Sequence, residues 1–223
     1  MVWREEAKKR VALEAVKHIK DNFIVGLGSG STAAYVIQEI GEKIRLEGLR
    51  ILGVPTSHQA MMLAVHCGVS LTTLDEHPQL DLAIDGADQV DRKLNLIKGG
   101  GGALTREKIV ASAAKEFVIV ADETKLVEKL GTNHTIPLEV LPFALPTIMV
   151  KLRKLKGKPV LREGGGKVGP LVTDNGNFDV DADFGPVDDV KELNLQLKLI
   201  PGVIETGLFV GMADIVYLGK PHG

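Results

Sequence analysis

Phe23-Ile-Val-Gly-Leu-Gly-Ser-Gly-Ser-Thr32 sets the architecture of this chain. An apolar run of strand length passes straight into a turn rich in glycine and hydroxyls. A helical pattern then runs from about Ser31 to Leu46. The same alternation continues outward. Residues 4–20 carry Ala7, Val11, Leu13, Val16 and Ile19 among charged positions, as an amphipathic helix does. Downstream, Leu49–Val54 reads as a second strand, with Ser57 as the N-cap of the next helix. Leu80–Ile84 and Phe117–Ala121 are two further buried-type strands, separated by a helix over about residues 102–114. Short apolar strands alternating with helices predict a Rossmann-like α/β fold: a mostly parallel sheet, helices on both faces and right-handed crossovers.

The texture changes after about residue 130, where prolines appear at positions 137, 142 and 146. Leu145–Leu155 reads as a helix, Lys158–Arg162 as a strand and 186–197 as another helix. Asn175-Gly176 lies between two strand-like runs and is a strong hairpin signal, because a tight two-residue turn needs positive φ at both positions. This block predicts a smaller α+β domain with an antiparallel sheet. Gly207–Val210 and Asp214–Leu218 read as buried strands that return to the first sheet. The expected organisation is an α/β catalytic domain over residues 1–129 and 204–223, and a smaller α+β domain over 130–203.

Composition narrows the function. With 223 residues, 44% of them hydrophobic, the chain is long enough for a sizeable core. Its 27 Lys and Arg against 29 Asp and Glu give a formal net charge of −2, so no basic footprint points to nucleic acid. The single cysteine, Cys67, excludes an internal disulfide framework and fits a reducing compartment. The charged start, Trp3–Arg10, lacks the apolar core of a signal peptide, and no apolar run approaches the length of a membrane span. The expectation is a soluble, cytoplasmic protein.

Four short segments carry the chemistry. Gly26–Thr32 departs from a dinucleotide fingerprint, since Ser31 occupies the third glycine position and the second strand ends without an acid for a ribose hydroxyl. It is not a Walker loop either, because no Gly-Lys-Ser/Thr follows. What remains is a loop suited to a single phosphate, or a tight turn that Ser31 or Thr32 merely caps. Asp85-Gly-Ala-Asp88 follows a buried strand and reads either as paired carboxylates at a ligand crevice or as a polar turn with Asx caps; Asp91 extends the run. The six histidines (18, 58, 66, 77, 134 and 222) never adopt metal-ligand spacing, so no metal is expected.

Lys98 precedes four consecutive glycines, 99–102. Their combined chain-entropy cost, about 2–4 kcal/mol relative to alanine, argues for close backbone approach to a ligand rather than a linker. Glu107 sits about one helical turn beyond them, in a Thr-Arg-Glu-Lys run that is ordinarily a solvated surface. Lys125 follows the strand 117–121 at the start of a helix and reads as a crevice lysine or a surface one. The alternation Asp179, Asp181, Asp183 reads as the solvent face of a strand.

Taken together, Gly26-x-Gly-Ser-Gly-Ser-Thr-Ala, Val54-Pro-Thr-Ser57, Asp85-Gly-Ala-Asp88, Lys98-Gly-Gly-Gly…Ala-Leu-Thr-Arg-Glu107-Lys, Val118-Ile-Val-Ala-Asp-Glu-x-Lys125, Thr173-Asp-Asn-Gly-Asn177 and Pro201-Gly-Val-Ile-Glu-x-Gly-Leu-Phe209 resemble ribose-5-phosphate isomerases of the A type. The resemblance spans almost the whole chain. It departs at Ser29, where the family commonly has Thr, at Gln89, where an acid is common, and at Gly102, where Ala is usual.

The resemblance implies interconversion of D-ribose 5-phosphate and D-ribulose 5-phosphate through an enediol(ate), in the non-oxidative pentose phosphate pathway. It implies Glu107 as the base that shuttles the proton, Lys98 as the oxyanion stabiliser, and Asp85 and Asp88 as ligands of sugar hydroxyls that assist ring opening. Substrate binding falls to Ser29, Gly30, Ser31, Thr32, Asp85, Gly86, Ala87, Asp88, Lys98, Gly99, Gly100, Gly101 and Lys125, with Lys8 a weaker addition. No cofactor is required, because the hydrogen moves as a proton. The expected partners are a small sugar phosphate and further copies of the chain in a dimer or tetramer, with no nucleic acid or membrane. Two rival readings remain. A non-catalytic sugar-phosphate sensor would need a DNA-binding module, and only about 22 residues precede the first strand. A sugar-phosphate deaminase or coenzyme A transferase-like enzyme would not be expected to carry the Lys98 loop with Glu107.

Overall fold

The computed structural model describes residues 2–166 and 168–221. In chain order the elements are α1 (Val2–Ala15), β1 (Phe23–Leu27), α2 (Gly30–Glu47), β2 (Ile51–Pro55), α3 (His58–His66) and β3 (Leu82–Asp85). Next come β4 (Gln89–Val90), β5 (Leu96–Ile97), α4 (Leu104–Ala113), β6 (Phe117–Asp122) and β7 (Ile136–Val140). The last are α5 (Leu145–Lys154), β8 (Lys158–Leu161), β9 (Phe178–Asp183), α6 (Val190–Lys198), β10 (Val203–Thr206), β11 (Leu208–Phe209) and β12 (Ile215–Gly219). No helix among the described residues is long and apolar enough to cross a membrane.

Two compact units result. The first comprises the residues up to Ala87, Arg106–Leu126 and those from Met212 onward. Its sheet has the order β12-β6-β3-β1-β2 with every pairing parallel. Alternation along the strands sends Val25, Leu27, Leu82, Ile84, Val118 and Val120 to one face. There they share a core with Ala12 and Ala15 of α1, Val36, Ile37 and Ile40 of α2, and Ala60 and Ala64 of α3. The opposite face is met by α4: a Cβ placed on Gly26 would lie 2.4 Å from the Val110 side chain, so only glycine lets this helix sit so close. Helices therefore cover both faces, as the apolar strands require. Local signals fix the ends. Ser57 accepts a bond from the Ala60 amide at 3.1 Å as N-cap of α3, and Gly48 closes α2 at φ 71°.

The second unit comprises Asp88–Thr105 and Val127–Gly211. Its main sheet is antiparallel, in the order β10-β7-β9-β8. Ile136, Leu138, Val140, Val180 and Ala182 form a core with Ile148 and Leu152 of α5 and Leu197 of α6. A three-stranded antiparallel sheet, β11-β5-β4, completes it.

The sequence expectations meet three differences here. Residues 88–105 and 204–211, expected with the parallel sheet, belong to the second unit, because Leu208–Phe209 pairs with Leu96–Ile97 and not with the parallel sheet. Only 215–219 returns to it, beside β6. Asn175-Gly176 is not a two-residue hairpin turn. Gly176 alone of the pair has positive φ, and the turn is closed by Thr173 and Asn177 while the Asn175 amide group bonds Glu139. Asp179 does not face solvent: its side chain is fully buried.

Candidate active site

In the first unit, four consecutive strands of the sheet end at one edge, the carboxyl edge where open α/β sheets gather ligand-binding groups. Ser29 and Thr32 follow β1, Thr56 and Ser57 follow β2, Asp85 ends β3, and Lys125 lies just beyond β6. The Ser29 amide donates to Asp85 Oδ1 at 3.1 Å, as does Gly86 at 2.7 Å. Gly28 permits this contact, since a Cβ there would fall 2.2 Å from that same oxygen. Asp85 is only 2% exposed.

The hydroxyl loop is not spent on capping. Ser29 is the N-cap of α2, yet its side chain makes no cap bond. Its Oγ instead pairs with the hydroxyls of Thr56 at 2.8 Å and Ser57 at 2.6 Å. The positive end of the α2 dipole lies at this hydroxyl loop, where the Gly30 amide donates to Gln59 Oε1 at 3.0 Å. Lys8 on α1 bonds Ser31 Oγ at 3.1 Å and adds a cation to the loop. A Cβ on Gly86 would come within 4.0 Å of Thr32, so the Asp85-Gly86 turn adjoins the loop. Lys125 closes a one-turn 3-10 helix, Glu123–Lys125, rather than opening an α-helix, because Asp122 caps only that single turn. Glu107 on α4, in a run that reads as surface, is only 6% exposed.

The second unit carries Asp88 and the Lys98 loop. Gly99 and Gly102 adopt φ of 105° and 76°, which a side chain would strain. The Gly100 amide donates to Asp88 Oδ2 at 2.7 Å. Lys98 is 2% exposed, its amide is held by the Gly207 carbonyl at 2.9 Å, and its ammonium stands 5.6 Å from the centre of the Phe209 ring. Asp91 is a turn former, accepting from the amides of Lys93 and Asn95. Gln89 uses both ends of its amide, toward the Thr132 carbonyl and the Gly131 N–H, each at 2.8 Å; a carboxylate could satisfy only the second. Arg162, absent from the sequence reading of the site, bonds the Gly99 carbonyl at 2.8 Å. Among the described residues, no three of His, Cys, Asp and Glu come together as a metal cluster; His222 lies outside them.

A parallel sheet with a hydroxyl-rich loop and a buried carboxylate at its carboxyl edge, in a chain that also buries Glu107 and Lys98, fits an α/β enzyme for a small polar substrate. Known proteins name the family. The family described as ribose 5-phosphate isomerase A (phosphoriboisomerase A) matches residues 52–223. The ribose-5-phosphate isomerase A of Methanosarcina acetivorans is 51% identical over 216 residues, covering 97% of this chain and 91% of that one. The Thermococcus kodakarensis protein of the same name is 48% identical, over 98% and 96% of the two chains. Among solved structures, ribose 5-phosphate isomerase A from Methanocaldococcus jannaschii superposes with a TM-score of 0.93 at 48% identity, covering 96% of this chain and 95% of that one. A D-ribose-5-phosphate isomerase in complex with phospho-erythronic acid gives a TM-score of 0.96 at 47% identity, with 99% and 96% covered. The chain belongs to the ribose 5-phosphate isomerase A family.

Proposed function

We propose that this chain interconverts D-ribose 5-phosphate and D-ribulose 5-phosphate, as the non-oxidative pentose phosphate pathway requires. The observation that carries the reading is similarity at about half identity along nearly the entire chain, to relatives that bear this activity in their names. The ligand in one of those relatives is a phosphorylated sugar acid, whose planar carboxylate imitates an enediolate.

The chemistry assigns the roles. After ring opening, assisted by Asp85 and Asp88, Glu107 takes the proton from C2 and returns it to C1. Lys98 neutralises the oxygen charge that develops between those events. Ser29, Gly30, Ser31, Thr32 and Lys125 hold the phosphate; Gly86, Ala87, Gly99, Gly100 and Gly101 supply backbone contacts to the sugar. The hydrogen moves as a proton, so no redox cofactor takes part, and Lys98 supplies the positive charge that a metal ion would otherwise bring to the enediolate. What supports these roles is the burial of Glu107, Lys98 and Asp85, three charges that ordinarily stay in water. Action in the cytoplasm as a homodimer or homotetramer completes the proposal.

A coupled assay of ribulose 5-phosphate formation tests it. Ribose 5-phosphate should turn over, free ribose should be a very poor substrate in kcat as well as KM, and inorganic phosphate should inhibit competitively. Equal turnover of ribose and its phosphate would remove the phosphate assignment, and no turnover of either would remove the isomerase.

A further inference from the structure

Arg162 follows β8 and is 14% exposed at its side chain. Its guanidinium forks onto Asp181, with Nε to Oδ2 at 2.8 Å and Nη2 to Oδ1 at 2.5 Å. The remaining nitrogen, Nη1, bonds Asp179 Oδ2 at 3.1 Å. Nη1 also reaches the glycine loop, bonding the Gly99 carbonyl at 2.8 Å and lying 3.4 Å from that of Gly100.

The Gly99 carbonyl and the Gly100 amide are the two ends of one peptide plane. Arg162 holds the first, and Asp88 accepts from the second at 2.7 Å. A rigid plane fixed at both ends cannot rotate. A cation on the carbonyl also polarises the bond and strengthens the N–H as a donor, so the carboxylate at the far end is held more firmly. The glycines on either side need this restraint, since no side chain of their own limits their backbone. The loop lies close to both carboxylates: a Cβ on Gly100 would meet Asp88 Oδ1 at 3.0 Å, and one on Gly102 would meet Asp179 Oδ2 at 3.0 Å.

We infer that Arg162, anchored by Asp179 and Asp181, is a positioning residue for the isomerase reaction: through the 99–100 peptide it sets the orientation of Asp88 and of the loop that follows Lys98. The inference rests on the function proposed above. A purely structural ion pair would be complete with the two carboxylates; the bonds to loop carbonyls are what it would lack.

Kinetics of Arg162→Ala, alone and combined with Asp88→Ala, test it. In the otherwise unchanged chain, Arg162→Ala should lower kcat about ten- to a hundredfold, the scale of a displaced substrate-orienting group, while competitive inhibition by inorganic phosphate stays as in the wild type. In the Asp88→Ala background the same change should cost little more, because the two residues act in series. An equal fold loss in both backgrounds, or undiminished kcat in the single variant, overturns the inference. Where Arg162→Ala fails to fold, Arg162→Lys decides on the same criteria, because an ammonium keeps the charge beside Asp179 but cannot span Asp181 and the loop carbonyls in one plane. A wild-type chain without isomerase activity defeats the proposed function itself; an active wild type with an insensitive Arg162 defeats only the inference.

Discussion

Glu139 and Asp179 stand directly opposite each other on β7 and β9, two fully buried carboxylates on facing positions of one antiparallel pair. Their surroundings differ. Glu139 accepts from Thr173 at 2.9 Å, Asn175 at 3.0 Å and Asn177 at 2.8 Å. Asp179 has Arg162 on one oxygen, and its other oxygen, Oδ1, has no hydrogen-bond partner. Burial raises the Asp179 pKa to about 7, with Glu139 and Asp181 adding to the rise and Arg162 opposing it.

Asp179 therefore makes stability pH-dependent. Between the ordinary carboxylate range and pH 7 the folded chain holds a proton that the unfolded chain has released, so stability falls as pH rises through this window. Asp179→Asn keeps the shape and removes the titration. Its melting temperature relative to wild type should climb by several degrees between pH 5 and pH 8. A gap independent of pH would mean that Asp179 ionises as an ordinary carboxylate.

Gly28 and Gly101 separate two reasons for glycine. A Cβ on Gly28 would sit 2.2 Å from Asp85 Oδ1 and 2.6 Å from its Cα, whereas one on Gly101 meets nothing within 4 Å and strains no positive φ. Gly28→Ala should cost about 1–3 kcal/mol in stability, as overpacking does, and lower activity by displacing Asp85. Gly101→Ala should leave the melting temperature unchanged and still reduce kcat/KM, because the added methyl would crowd the proposed backbone contact to the sugar. Full activity in Gly101→Ala would leave that glycine without a role.

The parallel sheet was legible because its strands are short apolar runs that end in glycine or hydroxyl turns, and the four glycines 99–102 announced themselves by their cost. Other features leave no periodic trace. The strands 89–90, 96–97 and 208–209 are two residues long, too short for alternation to register, and so residues expected with the first unit belong to the second. Along β9, the acidic alternation reads as a solvent face and cannot reveal that Asp179 is fully buried, while Asp183 stays half-exposed. Asp179 was therefore read as solvated, and Arg162, ordinary in sequence at the end of a strand, became visible only through the two carbonyls it bonds.

Metal independence is expected from the charge arrangement. Lys98 can neutralise an enediolate without a divalent ion, and Asp85 Oδ1 is already engaged by the amides of Ser29 and Gly86. Isomerase activity should survive exhaustive EDTA treatment and dialysis. A loss restored by Mg²⁺ or Zn²⁺ would recast Asp85 and Asp88 as metal ligands.

Glu107 carries the sharpest test. Glu107→Gln keeps the volume of a side chain that is 6% exposed and the helix propensity of α4, while removing the proposed base. Folding should persist, and the KM for ribose 5-phosphate should change little because the phosphate contacts lie elsewhere in sequence. Turnover should fall by about 10²–10⁴, and solvent deuterium should cease to enter the substrate at an appreciable rate. Lys98→Ala should also lower kcat, here through lost oxyanion stabilisation with the base intact. The double variant should lose less than the product of the two, since both groups act on one transition state. A Glu107→Gln enzyme that kept more than about a tenth of wild-type kcat would lie far above the range for a missing general base, and the proton transfer would then belong to Asp85 or Asp88.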